Sequence, residues 1–171
     1  MPRHIVLIGP MGVGKTAIGS RLAASLQSVF LDSDVSIAKT GGATGRAIAA
    51  IDGVASLHAL EQDFLHEALR SPDAAVIAAA ASCADDGALL RSIAGEGHVL
   101  VYLDAEEDEL TSLAEQQSHR RPIEPDEAAQ LHARRRAAAR RVEAVIFRPR
   151  VFIDAEAAAS ALLDQLPFLD G

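Results

Sequence analysis

The chain has 171 residues, 49% of them apolar but only 4% aromatic and none tryptophan, which suits one domain with a core of Ala, Val, Ile and Leu. A net charge of −8 argues against generic binding to nucleic acid or to an acidic membrane face, since both need a basic surface. Cys83 is the single cysteine, which excludes a disulfide within the chain or a cysteine-rich metal site.

In chain order, the apolar run Ile5–Ile8 ends at Gly9, as a strand buried on both faces does. It begins too soon after Met1 for a signal peptide, and no stretch has the charge-free length of a span of large apolar residues, so the expectation is a cytoplasmic protein. After the glycine loop, Ile18, Leu22 and Leu26 recur four apart and predict a helix with one apolar stripe. Val29-Phe30-Leu31 reads as a second strand, with Asp32 and Asp34 at its carboxyl end. Residues 35–69 read as helical, interrupted at Thr40-Gly41-Gly42 and near Asp52-Gly53.

Residues 74–81 read as a central strand, residues 85–94 as a crossover helix and Val99–Leu103 as a strand ending at Asp104. Residues 106–117 are predicted helical, broken by the prolines of residues 118–125. An Arg- and Ala-rich helix over 126–143 follows, then a core strand at Val145–Phe147, a further short strand at Val151–Ile153, and a closing helix over 155–166. This alternation predicts an α/β fold of three layers, a central parallel sheet with helices on both faces, as in a P-loop NTPase. No internal repeat or linker divides it, so residues 1–171 are expected to form one domain.

Charge is unevenly spread along the chain. Between Arg120 and Arg150 nine arginines face four acids, a local excess of five positive charges. Such a block suits a polyanion such as a nucleotide's phosphates, and it equally suits a solvated helix face.

Gly9-Pro10-Met11-Gly12-Val13-Gly14-Lys15-Thr16 is a complete phosphate-binding loop, set between a strand and a helix as its physics requires. The glycines let the backbone curl so that N–H groups point at phosphate oxygens, and the helix start adds a positive dipole end. Backbone and side chains of Gly9, Met11, Gly12, Val13, Gly14, Lys15, Thr16 and Ala17 are therefore the expected contacts to ATP. Lys15 is expected on the β and γ phosphates, and the Thr16 hydroxyl on Mg²⁺. Asp32 and Asp34, read as i and i+2 on an extended segment, point the same way. One then serves the metal and the other takes a hydroxyl proton.

The run from Ile5 through Asp34, with its phosphate loop, Ile18-Gly19, Leu22-Ala23 and Phe30-Leu31-Asp32-Ser33-Asp34, closely resembles the shikimate kinases. That resemblance implies a kinase that moves the γ-phosphate of ATP to a hydroxyl of shikimate or a related cyclic polyol. It places Asp32 with Thr16 in the Mg²⁺ environment, and Asp34 on the substrate hydroxyl. Arg120-Arg121-Pro122-Ile123 resembles the family's lid, a segment of about residues 115–130 whose arginine, Arg121 here, closes over the phosphates. Arg134 falls where the family has a substrate-carboxylate arginine, without the Pro-Leu-Tyr that normally follows. Arg148-Pro149-Arg150 resembles a late segment near the base.

Two departures fall on the acceptor side. At the family's other substrate arginine, three residues before Glu61, this chain has His58, and neutral imidazole offers one donor where guanidinium offers a pair. The family's triple glycine is Ala79-Ala80-Ala81 here, adding three Cβ atoms where substrate approaches the backbone. His58 also reads as a plain surface histidine. His4, His66, His98, His119 and His132 show no metal-ligand spacing and read as structural.

Two functions stay open: a small-molecule kinase of this type, and a nucleotide-binding pseudokinase that has kept the donor side alone. A GTPase-type switch is disfavoured because no Asn-Lys-x-Asp base-reading motif is present. The expected partners are a nucleotide and a polyol, neither nucleic acid nor membrane, with the chain a monomer or weak dimer.

Overall fold

The computed structural model describes residues 4–106, 108–110, 112 and 125–167. Five short strands form one sheet: β1 (Ile5–Ile8), β2 (Val29–Asp32), β3 (Ala75–Ala78), β4 (Val99–Leu103) and β5 (Val145–Phe147). They lie in the order β2-β3-β1-β4-β5 and every pairing is parallel. Each connection therefore crosses a face of the sheet, and helices cover both faces.

Successive strand residues point to opposite faces, so the apolar runs feed two cores at once. Ile5, Leu7, Val101 and Leu103 pack with Ile18 and Leu22 of α1 (Lys15–Ser25) and with Ala158 and Leu162 of α7 (Ala155–Leu163). Val6, Ile8, Leu100 and Tyr102 meet the other layer. That layer brings Leu65 of α4 (Val54–Leu69), Leu90 of α5 (Gly87–Gly95) and Ala139 of α6 (Pro125–Arg141). The expected three-layer fold is thus present.

Register decides where the chemistry collects. Leu7 pairs with Ala78, and Ala78 pairs with Asp32, so β1, β3 and β2 end side by side. The chain turns to one side of β1 for β2 and β3 and to the other for β4 and β5, and ligands of parallel sheets bind at that switch, beyond the carboxyl ends. Above β2 sits a small lobe of α2 (Ser33–Gly41), α3 (Gly45–Asp52) and α4, held by Ile37, Ile48 and Leu57. Thr44 caps α3 by accepting from Ala47 N at 3.3 Å.

Two expectations need revision. Val151–Ile153 is not a strand: Pro149–Val151 forms a single 3₁₀ turn, and Val151 and Ile153 stand 73% and 93% exposed. Pro149 brings no N–H to a ladder, and only Phe152 turns inward, stacked on Phe147 with ring centroids 5.4 Å apart. Asp34 does not continue the extended segment of Asp32 but lies in the first turn of α2. Of the lid segment, residues 115–124, Arg121 among them, lie outside the described residues, while 125–130 already belong to α6. The helix expected over 106–117 also falls largely outside them.

Close packing of α1 on the sheet depends on Gly19, where an added Cβ would sit 2.6 Å from Phe30 Cε2 and 3.0 Å from Leu7 Cδ1. Gly95, at the end of α5, has nothing within 4 Å. Gly19→Ala should therefore lose about 1–2 kcal/mol in denaturant unfolding, after helix propensity returns about 1 kcal/mol, while Gly95→Ala should gain about 0.5 kcal/mol.

Candidate functional site

The loop after β1 turns through glycines at positive φ, with Gly9 at 149°, Gly12 at 77° and Gly14 at 109°. Gly9 is needed for space as well as conformation, since a Cβ there would collide with the Leu103 carbonyl at the end of β4. Gly14 forms the N-cap of α1 with no capping side chain, so the first N–H groups of that helix face the loop. Lys15 follows at once and donates from Nζ to the carbonyls of Gly9 and Pro10, both at 2.9 Å. It is thereby folded over the loop it serves.

Thr16 donates from Oγ1 to Asp32 Oδ2 at 2.6 Å, tying α1 to the end of β2. The other oxygen of Asp32 accepts from the backbone of Asp34 at 2.9 Å and Val35 at 3.2 Å, which makes Asp32 the N-cap of α2. Hydroxyl and carboxylate are hard oxygen donors, a pairing that fits Mg²⁺ beside a phosphate loop. Asp34 is exposed in the first turn of α2, and its carboxylate borders the same cleft as Met11, Lys15, Thr16 and Asp32.

The opposite wall of that cleft is the end of β3 and the turn after it. Ala78, Ala79, Ala80 and Ala81 line it, with Ala79 N donating to Leu7 O at 3.0 Å. Ser82 and Glu61 complete the wall: Glu61 is only 2% exposed and accepts a short hydrogen bond from the Ser82 hydroxyl. Next to them, burial pushes the Cys83 thiol up to about 12, with the Glu61 charge adding to the rise, so it is an inert core residue.

Of the residues singled out in the sequence, Met11, Lys15, Thr16, Asp32, Asp34 and Ala79–Ala81 converge on one cleft. His58 is exposed on α4 and does not line it. Arg134 is 70% exposed and ion-paired to Asp85 at 3.3 Å, whereas its neighbour Arg135, 14% exposed, grips Asp85 with two hydrogen bonds at 2.9 and 2.5 Å. Burial would raise the Asp85 carboxyl, but the two arginines outweigh it and hold it below the usual range. Glu61 and Ser82 were the site residues that motif reading passed over. The available signal was an acid at the centre of the stripe Leu57, Glu61, Leu65, where an apolar residue is expected.

Asp104, at the end of β4, anchors a buried network behind the cleft. Tyr102 donates from its hydroxyl to His132 Nδ1 at 2.8 Å, and His132 Nε2 lies 2.8 Å from Asp104 Oδ1. A hydroxyl donor on one ring nitrogen and a carboxylate acceptor on the other select the neutral Nε2–H tautomer. Arg136 and Arg148 add ion pairs to Asp104, each at 3.3 Å.

The whole chain has clear relatives. A model of the shikimate kinase family matches residues 11–166. A shikimate kinase of Rhodococcus erythropolis is 35% identical over 107 residues, covering 61% of this chain and 60% of that protein. One from Coxiella burnetii is 35% identical over 121 residues, covering 70% of this chain and 66% of that protein. The matched region thus spans a little under two thirds of the length of these curated relatives. Among solved structures, a shikimate kinase from Acinetobacter baumannii in complex with shikimate superposes with a TM-score of 0.82 at 25% identity, covering 96% of this chain and 93% of that one.

Two outcomes follow from this geometry. Asp32→Ala removes the α2 cap and strands the Thr16 hydroxyl, so it should cost about 1–2 kcal/mol in unfolding experiments, whereas Asp34→Asn should stay within about 0.5 kcal/mol. The second concerns pH. Burial depresses His132 below the ordinary histidine range despite Asp104, and burial also depresses His98, helped by His4. The folded state therefore keeps both rings neutral while the unfolded chain takes up protons below about pH 6.5, so stability should be full above that pH and fall as pH drops through it. His132→Gln should be less stable at pH 7.5 yet show a shallower loss between about pH 7 and pH 5 in denaturant titrations.

Proposed function

The chain belongs to the shikimate kinase family, and from that membership we propose that it transfers the γ-phosphate of ATP to a hydroxyl of shikimate or a related cyclic polyol. The observation that carries this reading is the convergence, in one cleft, of a phosphate loop, the Thr16–Asp32 pair and the exposed carboxylate of Asp34.

The loop N–H groups and the start of α1 bind the phosphates, and Lys15 exchanges its two carbonyl partners for phosphate oxygens. Thr16 and Asp32 would hold Mg²⁺, which would supply neutralisation of phosphate charge. Asp34 orients the acceptor hydroxyl and receives its proton. The acceptor oxygen forms a bond to the γ-phosphorus as the bond to the β–γ bridging oxygen breaks, releasing ADP. By the family resemblance Arg121 would serve the phosphates and Arg148-Pro149-Arg150 the base. The reading includes a cytoplasmic reaction, where ATP is supplied, by a monomer or weak dimer.

A second reading, nucleotide binding without phosphotransfer, draws on Ala79–Ala81, whose Cβ atoms narrow the acceptor wall. ADP release with Mg-ATP and a panel of cyclic polyols, shikimate included, separates the two. Acceptor-dependent turnover is expected, with Lys15→Ala reducing it by at least about 100-fold. Tight ATP binding with no turnover on any acceptor would instead establish the second reading.

A further inference from the structure

We propose that a second cavity, between α2 and α4 and apart from the phosphate cleft, binds a small organic cation: an amine carried on an apolar body. The cavity measures about 610 Å³, within the range of about 300–1,000 Å³ that small-molecule sites occupy. None of the residues lining it lines the phosphate cleft. Its lining is mainly apolar, from Leu31 of β2, Ile37 of α2, and Leu60, Phe64 and Ala68 of α4. Leu60 remains 42% exposed, so this apolar surface opens to solvent, and a ligand with an apolar body gains by covering it.

The charged part of the lining has a single sign. Helix periodicity sets Leu60, Phe64 and Ala68 in one row of α4 and Asp63 and Glu67 in the next, so an acidic row runs beside an apolar one. Asp63 and Glu67 are exposed, and neither is ion-paired to another described residue. Like charges at i and i+4 repel each other, and an ammonium group between them relieves that repulsion while its carbon chain lies on Leu60 and Phe64. Across the cavity, the Thr40 hydroxyl donates to Ser36 O at 3.0 Å and keeps its own oxygen free to accept from an ammonium N–H. No cation is found among the described residues lining the cavity, so an anion of the same shape meets two carboxylates and is rejected.

The test titrates the full chain with phenylbutylamine, phenylbutanol and phenylbutyrate, which share a ring and chain and differ in charge, and reads affinity by calorimetry. The amine is expected to bind one to one, about tenfold tighter than the alcohol, with no measurable binding of the carboxylate. In the double variant Asp63→Asn, Glu67→Gln, where both positions are exposed, the amine should fall to within about threefold of the alcohol. Leu60→Asn should weaken amine and alcohol together. Raising the salt from about 0.02 M to about 0.5 M with the wild-type protein should erode the preference for the amine without any substitution. Amine and alcohol binding alike, no binding of either, or a preference that survives both the double variant and high salt would overturn the proposal. Loss of amine binding in protein loaded with Mg-ADP would place the cation in the phosphate cleft and overturn it as well, whereas one-to-one binding alongside the nucleotide upholds a separate site. The kinase reading is untouched by any of these outcomes.

Discussion

Asp32 accepts three hydrogen bonds on two oxygens, and the position of nearly every other group in the cleft follows from them. One oxygen holds Thr16, the second residue of α1; the other starts α2 by capping its first N–H groups. Because the same side chain ends β2, strand, phosphate loop and lobe are joined at one carboxylate. Asp34 reaches the cleft only because that cap turns the chain into a helix two residues earlier than an extended reading of the segment would have it. A side chain that both caps a helix and offers an oxygen to a cation is oriented before any ligand arrives, which lowers the cost of binding one.

The sheet supplies the second condition. Parallel strands ending in register put Leu7, Ala78 and Asp32 abreast, so the loop after β1 has the end of β3 on one side and the end of β4 on the other. The backbone of Gly9 passes so near the Leu103 carbonyl that no side chain fits. Helix α6 is held against this edge through charge: Asp85 and Asp104 each collect two arginines, and the His132–Tyr102 pair secures the second of them from behind. The arginine-rich segment, seen as a possible polyanion surface, is in good part committed to ion pairs within the fold. The wall of the cleft at the end of β3 is lined by Glu61, Ser82 and four alanines.

Most of the fold was legible in the sequence because its signals are local. Ile5–Ile8, the glycine loop and the stripe of α1 declare a strand, an anion site and a helix within a few residues of one another, and parallel crossovers follow from their alternation. Val151–Ile153 misled because β-branched and aromatic residues suit a strand, yet whether a strand forms depends on a partner edge, and Pro149 and the Asp154 cap divert the chain first. The wall of the cleft at the end of β3 was the least legible part. Its residues come from α4 and from the turn after β3, twenty-one positions apart for Glu61 and Ser82, and no spacing rule connects them.

The sequence by itself determined the loop after β1: three glycines, a lysine and a threonine at the spacing of a phosphate-binding loop follow a buried strand, and Asp32 comes one βα unit later. Only the tertiary structure decided the opposite wall of the cleft. Ion pairing is a matter of which acid is nearest in space, so three adjacent arginines that look alike in sequence part company, two to Asp85 and one to Asp104. Burial is likewise a property of packing, which is why Glu61, an unremarked acid on a helix, becomes a near-inaccessible carboxylate facing the cleft while His58, three residues earlier, remains in solvent.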